Sequence, residues 1–320
     1  MKFRQVPGTD LSLSVVGFGC WAIGGRWWGD DVRDEHSIAA IHKALDLGIN
    51  WFDTAPLYGY GHADEILVRA LGPRKKDVVI ATKVGVRWDG EGQHAHSDLS
   101  PEYIRRDTEA SLTRLGVDRI DLLQVHWPCE AGTRLEDTLD ALTGLQREGK
   151  VRWFGLCNYD APTFSQALAH APVATLQTPF SLLRREFEHG LSDACRGADG
   201  SWRVGVLAYE PLCRGLLTGK FRTLPRFPDT DLRARDDRFQ PRAFQKTAEF
   251  VRMLEGAAVK VGVPAAALAI GWVCARPGVT AAIAGAKRPE QVVENARAAA
   301  MVGNDRFWEA IDRLVNGYRF

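Results

Sequence analysis

Along this chain, short apolar runs alternate with longer stretches whose apolar residues recur every three or four positions. The apolar runs are Val15–Gly19, Trp51–Asp53, Val78–Val84, Ile120–His126, Val151–Cys157, Val173–Thr178, Val204–Tyr209 and Thr280–Ala284. Each is nearly continuous in apolar residues and bounded by turn formers, which predicts strands buried on both faces. The stretches between them predict amphipathic helices. Ser100-Pro101-Glu102 sets a capping residue before proline at the first helical position. Tyr103, Ile104, Ala110, Leu112 and Leu115 then form the apolar stripe of a helix ending near Gly116. Asp160 before Ala161-Pro162 opens another helix, toward His170.

Strands covered on both faces and separated by helices belong to parallel sheets. Eight such units in succession predict a sheet closed on itself. The fold class is therefore α/β, a (β/α)8 TIM barrel, read as a single domain over residues 1–320. Ahead of the barrel, Phe3 to Val6 and Leu11 to Leu13 flank Pro7-Gly8-Thr9-Asp10 and predict a β-hairpin. Two polar segments break the rhythm on the side where barrels build their sites: Arg87 to Asp98 after the third strand and Leu216 to Pro241 after the seventh. From Gly303 the pattern predicts an extra C-terminal helix.

Composition narrows the function classes. With 320 residues, 45% hydrophobic and 25% charged, the chain has apolar material for a large core. Its 41 basic and 40 acidic side chains leave a net charge of +1, and no block of like charge suggests a nucleic-acid or membrane surface. The expected partner is a small molecule, met by a monomer or a homo-oligomer. The densest basic stretch, Arg222 to Arg242, alternates with Asp229, Asp231, Asp236 and Asp237 and reads as a solvated loop. Cys20, Cys129, Cys157, Cys195, Cys213 and Cys274 lie far apart without a C-x-x-C pair, so packed, reduced thiols are expected, with no disulfide frame and no metal site. The opening MKFRQVPGTDLS is too polar for a signal peptide, and no apolar run reaches the ~18 residues of a membrane span. A cytoplasmic protein is expected.

Barrel chemistry collects at the C-terminal ends of the strands. There the second strand carries Asp53, with Tyr58 five positions on. The third carries Lys83, and the fourth ends in His126-Trp127-Pro128. Polar groups in apolar strands are costly to bury unless paired. An acid, a phenol, an ammonium and an imidazole from three neighbouring strands can pair with one another. A carbonyl receiving hydride needs a proton on its oxygen, from a donor whose pKa lies below a free phenol's ~10. Tyr58 is the predicted donor, with Lys83 lowering its pKa, Asp53 holding Lys83 charged, and His126 orienting the carbonyl. Singly, each residue has a plainer reading: a cap, a packed ring, a structural histidine, or for Lys83 a Schiff-base aldolase.

The run Gly48-Ile49-Asn50-Trp51-Phe52-Asp53-Thr54-Ala55-Pro56-Leu57-Tyr58-Gly59 resembles the aldo-keto reductase signature, as do Thr82-Lys83, His126-Trp127-Pro128 and the segment Gly285 to Asn295. The resemblance covers almost the whole chain. It implies a NADP(H)-dependent barrel oxidoreductase that reduces an aldehyde or ketone, with Tyr58, Lys83, Asp53 and His126 as its catalytic residues. Gly17 to Gly25 and Tyr209-Glu210-Pro211-Leu212 through Gly219-Lys220 look most like the bacterial and channel-β-subunit-like branch. A cofactor-binding regulatory subunit is therefore a second reading, and the aldolase a third.

No G-x-G-x-x-G opens a βα unit with an acid ~20 positions on, so the nicotinamide carrier is not a Rossmann domain. The late strands must supply the cofactor's contacts instead. Asn158 and Gln177 offer amides for the nicotinamide carboxamide, and Tyr209 a ring to stack on it. Leu212, Cys213, Arg214 and Gly215 offer backbone N–H groups to the pyrophosphate, with Trp21, Glu210 and Leu217 expected beside them. Gly285 leads to Lys287 and Arg288 at a helix N-terminus, a natural seat for the adenosine 2′-phosphate. Gln291, Glu294 and Asn295 follow, the last two within reach of the adenine amine. Three positions depart from the family pattern: Cys157 where serine is usual, Phe180 where tyrosine is common, and Glu210 in place of a serine. Glu210 would repel the pyrophosphate unless Arg214 or Lys220 pairs with it. Trp21, Trp28, Tyr58, His126 and Trp127 are expected against the substrate, with Trp27, Tyr60 and Trp88 on the rim. Arg26, Arg87 and Arg214 are candidates for recognising hydroxyls or a charge on an aldose or other sugar-derived carbonyl.

Overall fold

The computed structural model describes residues 1–29, 31–88, 95–130, 132–303 and 305–318. A hairpin of β1 (Phe3–Gln5) and β2 (Ser12–Ser14) pairs antiparallel, Arg4 opposite Leu13. Eight parallel strands then close into a barrel: β3 (Val16–Gly19), β4 (Trp51–Asp53), β5 (Val79–Val84), β8 (Ile120–Val125), β9 (Val151–Cys157), β10 (Thr175–Pro179), β11 (Gly205–Tyr209) and β12 (Val279–Gly285). All eight expected strands are present. β6 (Val86–Trp88) and β7 (Ala95–Ser97) form a separate two-stranded sheet above the third barrel strand. It occupies the first polar segment, whose residues 89–94 lie outside the described residues.

Helices cover the outside: α1 (Asp34–Asp46), α2 (His62–Leu71), α3 (Pro101–Leu115), α4 (Leu135–Arg147), α5 (Ala161–His170), a single turn α6 (Leu191–Ala194), α7 (Pro241–Lys260), α8 (Ala265–Cys274), α9 (Pro289–Ala296) and the C-terminal α10 (Asp305–Asn316). The expected caps form. Ser100 Oγ accepts from Tyr103 N at 3.3 Å, Gly116 ends α3 in the left-handed region, and Asp160 accepts from Thr163 N at 2.8 Å. Helix α8 is apolar on every side and buried throughout. Among the described residues no single helix is long and apolar enough to cross a membrane.

The two-residue period of the strands sorts the core in two. Trp51, Ala81, Leu122, Leu207 and Ala281 point inward with Val6, Leu11 and Leu13 of the hairpin, which plugs the lower end. Phe52, Ile80, Leu123, Leu156 and Ala282 point outward into the layer shared with the helices. Gly17 makes room for the inner layer, because a Cβ there would lie 2.1 Å from the Trp51 indole. Two positions above Trp51 and Ala81 stand Asp53 and Lys83. The alternation that buries the lower ring therefore aims the carboxylate and the ammonium at the axis.

Candidate functional site

Asp53 Oδ1 lies 2.6 Å from Lys83 Nζ, and the Thr54 carbonyl accepts from the same ammonium at 3.0 Å. The other carboxylate oxygen, Oδ2, accepts from Gln177 Nε2 at 2.7 Å. Lys83 is only 1% exposed, yet burial, which opposes its charge, is outweighed by Asp53 and then Tyr58, so its pKa is raised. That ammonium lies 4.9 Å from the centroid of the Tyr58 ring, and the His126 ring is 5.9 Å from the same phenol. Burial pushes the His126 imidazole well below its usual range, with Lys83 adding to the shift, so the ring is neutral.

Tyr58 differs from expectation. Lys83 does pull its pKa down by charge and hydrogen bonding, but burial is the larger effect and the net direction is up. The enclosure that brings the two together also removes the water a phenolate would need. The loop holding Tyr58 is fixed by Gly59, whose φ is +61° and where a Cβ would stand 2.0 Å from the Gly24 carbonyl oxygen. On its outer face Tyr58 stacks on Trp21 at 6.2 Å, and Trp21 meets Trp28 edge-on at 5.0 Å.

Behind the quartet lies a second buried pair. Thr54 Oγ1 donates to Asp64 Oδ1 at 2.5 Å, and Arg114 reaches Asp64 Oδ2 at 3.1 Å. The Asp107 carboxylate accepts from Gly85 N at 3.0 Å, just beyond β5, and burial pushes its pKa up to about 6.

These groups open into a cleft of about 750 Å³ at the C-terminal ends of the strands. The aromatic side of its lining holds Trp21, Trp27, Trp28, Leu57 and Trp127. Along the late strands it runs past Asn158, Gln177, Tyr209, Glu210, Leu212, Arg214 and Gly215 to Gly285, Lys287, Gln291, Glu294 and Asn295. Leu217 does not line it; that side chain is fully buried in the outer core. Arg288 sits at the edge, half exposed. Tyr60 and Trp88 form an outer group with Trp27, at 5.7 and 5.3 Å, and Arg26 caps the Tyr60 ring at 4.8 Å. Arg87 faces Asp98 at 3.7 Å.

Several groups expected to be free have protein partners. Asn158 Nδ2 donates to the His126 carbonyl at 2.9 Å, and its Oδ1 accepts from Tyr209 Oη at 2.7 Å, which ties three strand ends together. The N–H groups of Cys213 and Gly215 are not free for an anion; they donate to Glu210 O and Leu212 O at 2.9 and 3.0 Å. Phe180 packs between Phe187 and Trp272, away from the cleft. Cys157 is buried among the inner polar groups, and burial raises its pKa.

Glu210 is neutralised. Arg214 Nε reaches its Oε1 at 2.8 Å, Arg238 reaches its Oε2 at 3.1 Å, and Asp236 completes the group by pairing with both arginines. Lys220 takes no part. Desolvation at the cleft wall and the neighbouring Arg233 and Lys287 charges lower its pKa to about 8, although the residue is exposed. The basic stretch is a solvated loop only in part: Arg222, Arg226, Asp229, Arg235, Asp237 and Arg242 are exposed. Asp231 and Arg233 are buried and paired, and Phe221, Phe227 and Phe239 pack edge to face beside them. Lys220, expected there as a partner of Glu210, lines the cleft without pairing with it; Arg184, Leu232, Arg233 and Ala95 of β7 line it without having been anticipated. Alternating Asp and Arg two positions apart was the available signal for Arg233.

A cofactor-sized ligand suits this lining. The cleft is long and open along β9 to β12, cations gather at its far end, and the buried Trp28 indole N–H has no hydrogen-bond partner among the described residues.

A closed barrel whose mouth holds a buried acid, ammonium and imidazole beside a half-buried phenol is the framework of an oxidoreductase. By the match of the Aldo/keto reductase family to residues 15–316, the chain belongs to that family, whose members act on small carbonyl substrates with nicotinamide cofactors. It is 35% identical over 295 residues to the aldo-keto reductase YhdN of Bacillus subtilis strain 168, covering 91% of this chain and 87% of that one. To the NADH-specific methylglyoxal reductase of Escherichia coli strain K12 it is 34% identical over 312 residues, covering 93% of each. Among solved structures, a glycerol dehydrogenase from Gluconobacter oxydans matches with a TM-score of 0.88 at 37% identity, covering 99% of this chain and 95% of that one.

Proposed function

We propose that this chain reduces an aldehyde or ketone to the alcohol, with Tyr58 as the proton donor and NADP(H) as the cofactor. One observation carries the reading: half-buried Tyr58 meets buried Asp53, Lys83 and His126 in one cluster at the mouth of the barrel. When bound, the nicotinamide supplies the hydride. The protein's own groups do the rest. Neutral His126 donates one hydrogen bond to the substrate oxygen and sets its direction. Tyr58 delivers its proton as charge builds on that oxygen. Lys83, held charged by Asp53, stabilises the phenolate that remains. Such assistance typically contributes ~10²–10⁴-fold.

Asn158, Gln177 and Tyr209 would hold the nicotinamide end of the cofactor, and Arg214 and Gly215 would lie along its middle. Lys287 and Arg288 favour the 2′-phosphate, which is the basis for naming NADP(H). The compact aromatic wall of Trp21, Trp28 and Trp127 suits a small carbonyl. Methylglyoxal and glyceraldehyde are the probes of choice, given the activities named for the Escherichia coli and Gluconobacter proteins, and aldoses extend the series. The six free cysteines accord with a reducing, cytoplasmic setting.

A Schiff-base role for Lys83 is disfavoured, because such a lysine needs a depressed pKa and here Asp53 drives it up. The direct test is Tyr58→Phe. The variant should still quench its tryptophan fluorescence on binding NADPH while losing nearly all turnover. Wild-type turnover in the variant would remove Tyr58 from the role.

A further inference from the structure

The cations at the far end of the cleft already have an acid. Lys287 Nζ is ion-paired with Asp31 Oδ1 and also donates to the Trp28 carbonyl at 3.3 Å. Arg288 stands 3.4 Å from the other Asp31 oxygen. Asp31 lies in the stretch between the aromatic wall and α1. This strap is also pinned along its other edge. Leu232 N donates to the Trp27 carbonyl at 3.2 Å, and the Arg233 guanidinium lies 5.2 Å from the Trp28 ring. The strap thus runs between the loop after β11 and the N-terminus of α9, with its carboxylate on the two cations. The Asp31 side chain is 55% exposed and Lys287 only 16%, so the acid is the partner that can yield.

We propose that Asp31 sets the choice between NADP(H) and NAD(H) in this chain, by competing with the 2′-phosphate for Lys287 and Arg288. The inference rests on the reading that this end of the cleft receives the adenosine ribose. A phosphate monoester carries about −1.5 to −2 at neutral pH. It must displace Asp31 from both cations and then tolerate the carboxylate nearby. A ribose 2′-hydroxyl has the opposite relation to the same group: it can donate a hydrogen bond to Asp31 and leave the ion pairs in place. The preference for NADP(H) is accordingly smaller than two cations alone would produce, and NAD(H) is accepted as well. One like charge within a few ångströms, in water-like surroundings, is worth roughly tenfold in affinity for a dianion.

The test is isothermal titration of wild type, Asp31→Asn, Asp31→Glu and Lys287→Met with NADPH and with NADH. In Asp31→Asn the ratio Kd(NADH)/Kd(NADPH) should rise about tenfold, mainly through tighter NADPH. Asp31→Glu, which keeps the charge, should stay near the wild-type ratio, and Lys287→Met should lose NADPH selectively. An unchanged ratio in Asp31→Asn, or an equal shift for both dinucleotides, overturns the assignment of Asp31 while leaving the cofactor site intact. If Lys287→Met has no effect on either ligand, or the wild type binds neither, the underlying reading of the cleft fails and the proposal falls with it.

Discussion

Replacing Asp53 with Asn keeps the side chain's shape and removes its charge. Asp53 now accepts from Lys83 at 2.6 Å on one oxygen and from Gln177 at 2.7 Å on the other. Asparagine has one oxygen and one NH₂, so one of those contacts becomes donor against donor. Lys83, 1% exposed, loses its counter-charge and keeps only neutral acceptors, the Thr54 carbonyl at 3.0 Å among them. Removing one partner of a buried ion pair costs about 3–5 kcal/mol. The remaining carbonyl and the freedom of Lys83 to lose its proton favour the lower end, about 3 kcal/mol. Lys83 has a folded pKa above its unfolded value. The pair's stabilisation is therefore complete below the unfolded pKa and fades only as pH rises through the folded one, so the deficit is full at neutral pH. Turnover should fall about 10²–10³-fold, because the phenolate of Tyr58 loses its neighbouring charge. Urea unfolding and steady-state turnover at saturating cofactor read the two effects. Adding Lys83→Met to Asp53→Asn removes the stranded amine and should restore most of the lost stability without restoring turnover. If Asp53→Asn stays within about 0.5 kcal/mol of wild type, or the double variant is no more stable than the single, the ion pair is not what holds the site.

Two further perturbations follow from the site's surroundings. Gly59→Ala places a methyl against the Gly24 carbonyl at a φ of +61°, so the Tyr58 loop must move. A displacement of about 1 Å costs roughly 10²-fold in kcat, with far-ultraviolet circular dichroism unchanged; full activity would show that the loop position is not critical. Asp107, its pKa pushed up by burial to about 6, binds a proton more readily folded than unfolded. Its ionisation therefore costs stability above pH 6 and the cost disappears as pH falls through the carboxylate range. Asp107→Asn keeps an acceptor for Gly85 N and should stabilise the protein by on the order of 2 kcal/mol at pH 8 and by nearly nothing at pH 4; urea midpoints across that range check it.

Much of this molecule was legible because parallel strands buried on both faces leave a strong mark. All eight strands lie where the apolar runs put them, with ends moved by a residue or two. The sixth starts at Thr175, since Val173 N is taken by a turn to Ala171 O. The quartet was legible because polar residues at apolar strand ends stand out. Its electrostatics were less so: the neighbours of Tyr58 can be named from sequence, but burial, which decides the direction of its pKa, depends on what closes over it. Ion pairs between loops leave no periodic signal. Asp31 and Lys287 are 256 positions apart, and Arg238 reaches Glu210 from a stretch whose alternating charges look like a solvated loop. Arg214 and Arg238 both pair with Glu210.

The proposed reaction is hydride transfer to a carbonyl carbon with Tyr58 supplying the proton. It is tested most directly with dinucleotide deuterated at the transferring position of the nicotinamide and methylglyoxal as acceptor, the product being analysed by mass spectrometry for wild type and Tyr58→Phe. Hydride transfer should place one deuterium on the reduced carbon of the wild-type product, with almost no product from a Tyr58→Phe variant that still binds the dinucleotide. Product without deuterium, or deuterated product formed by Tyr58→Phe at the wild-type rate, would contradict it.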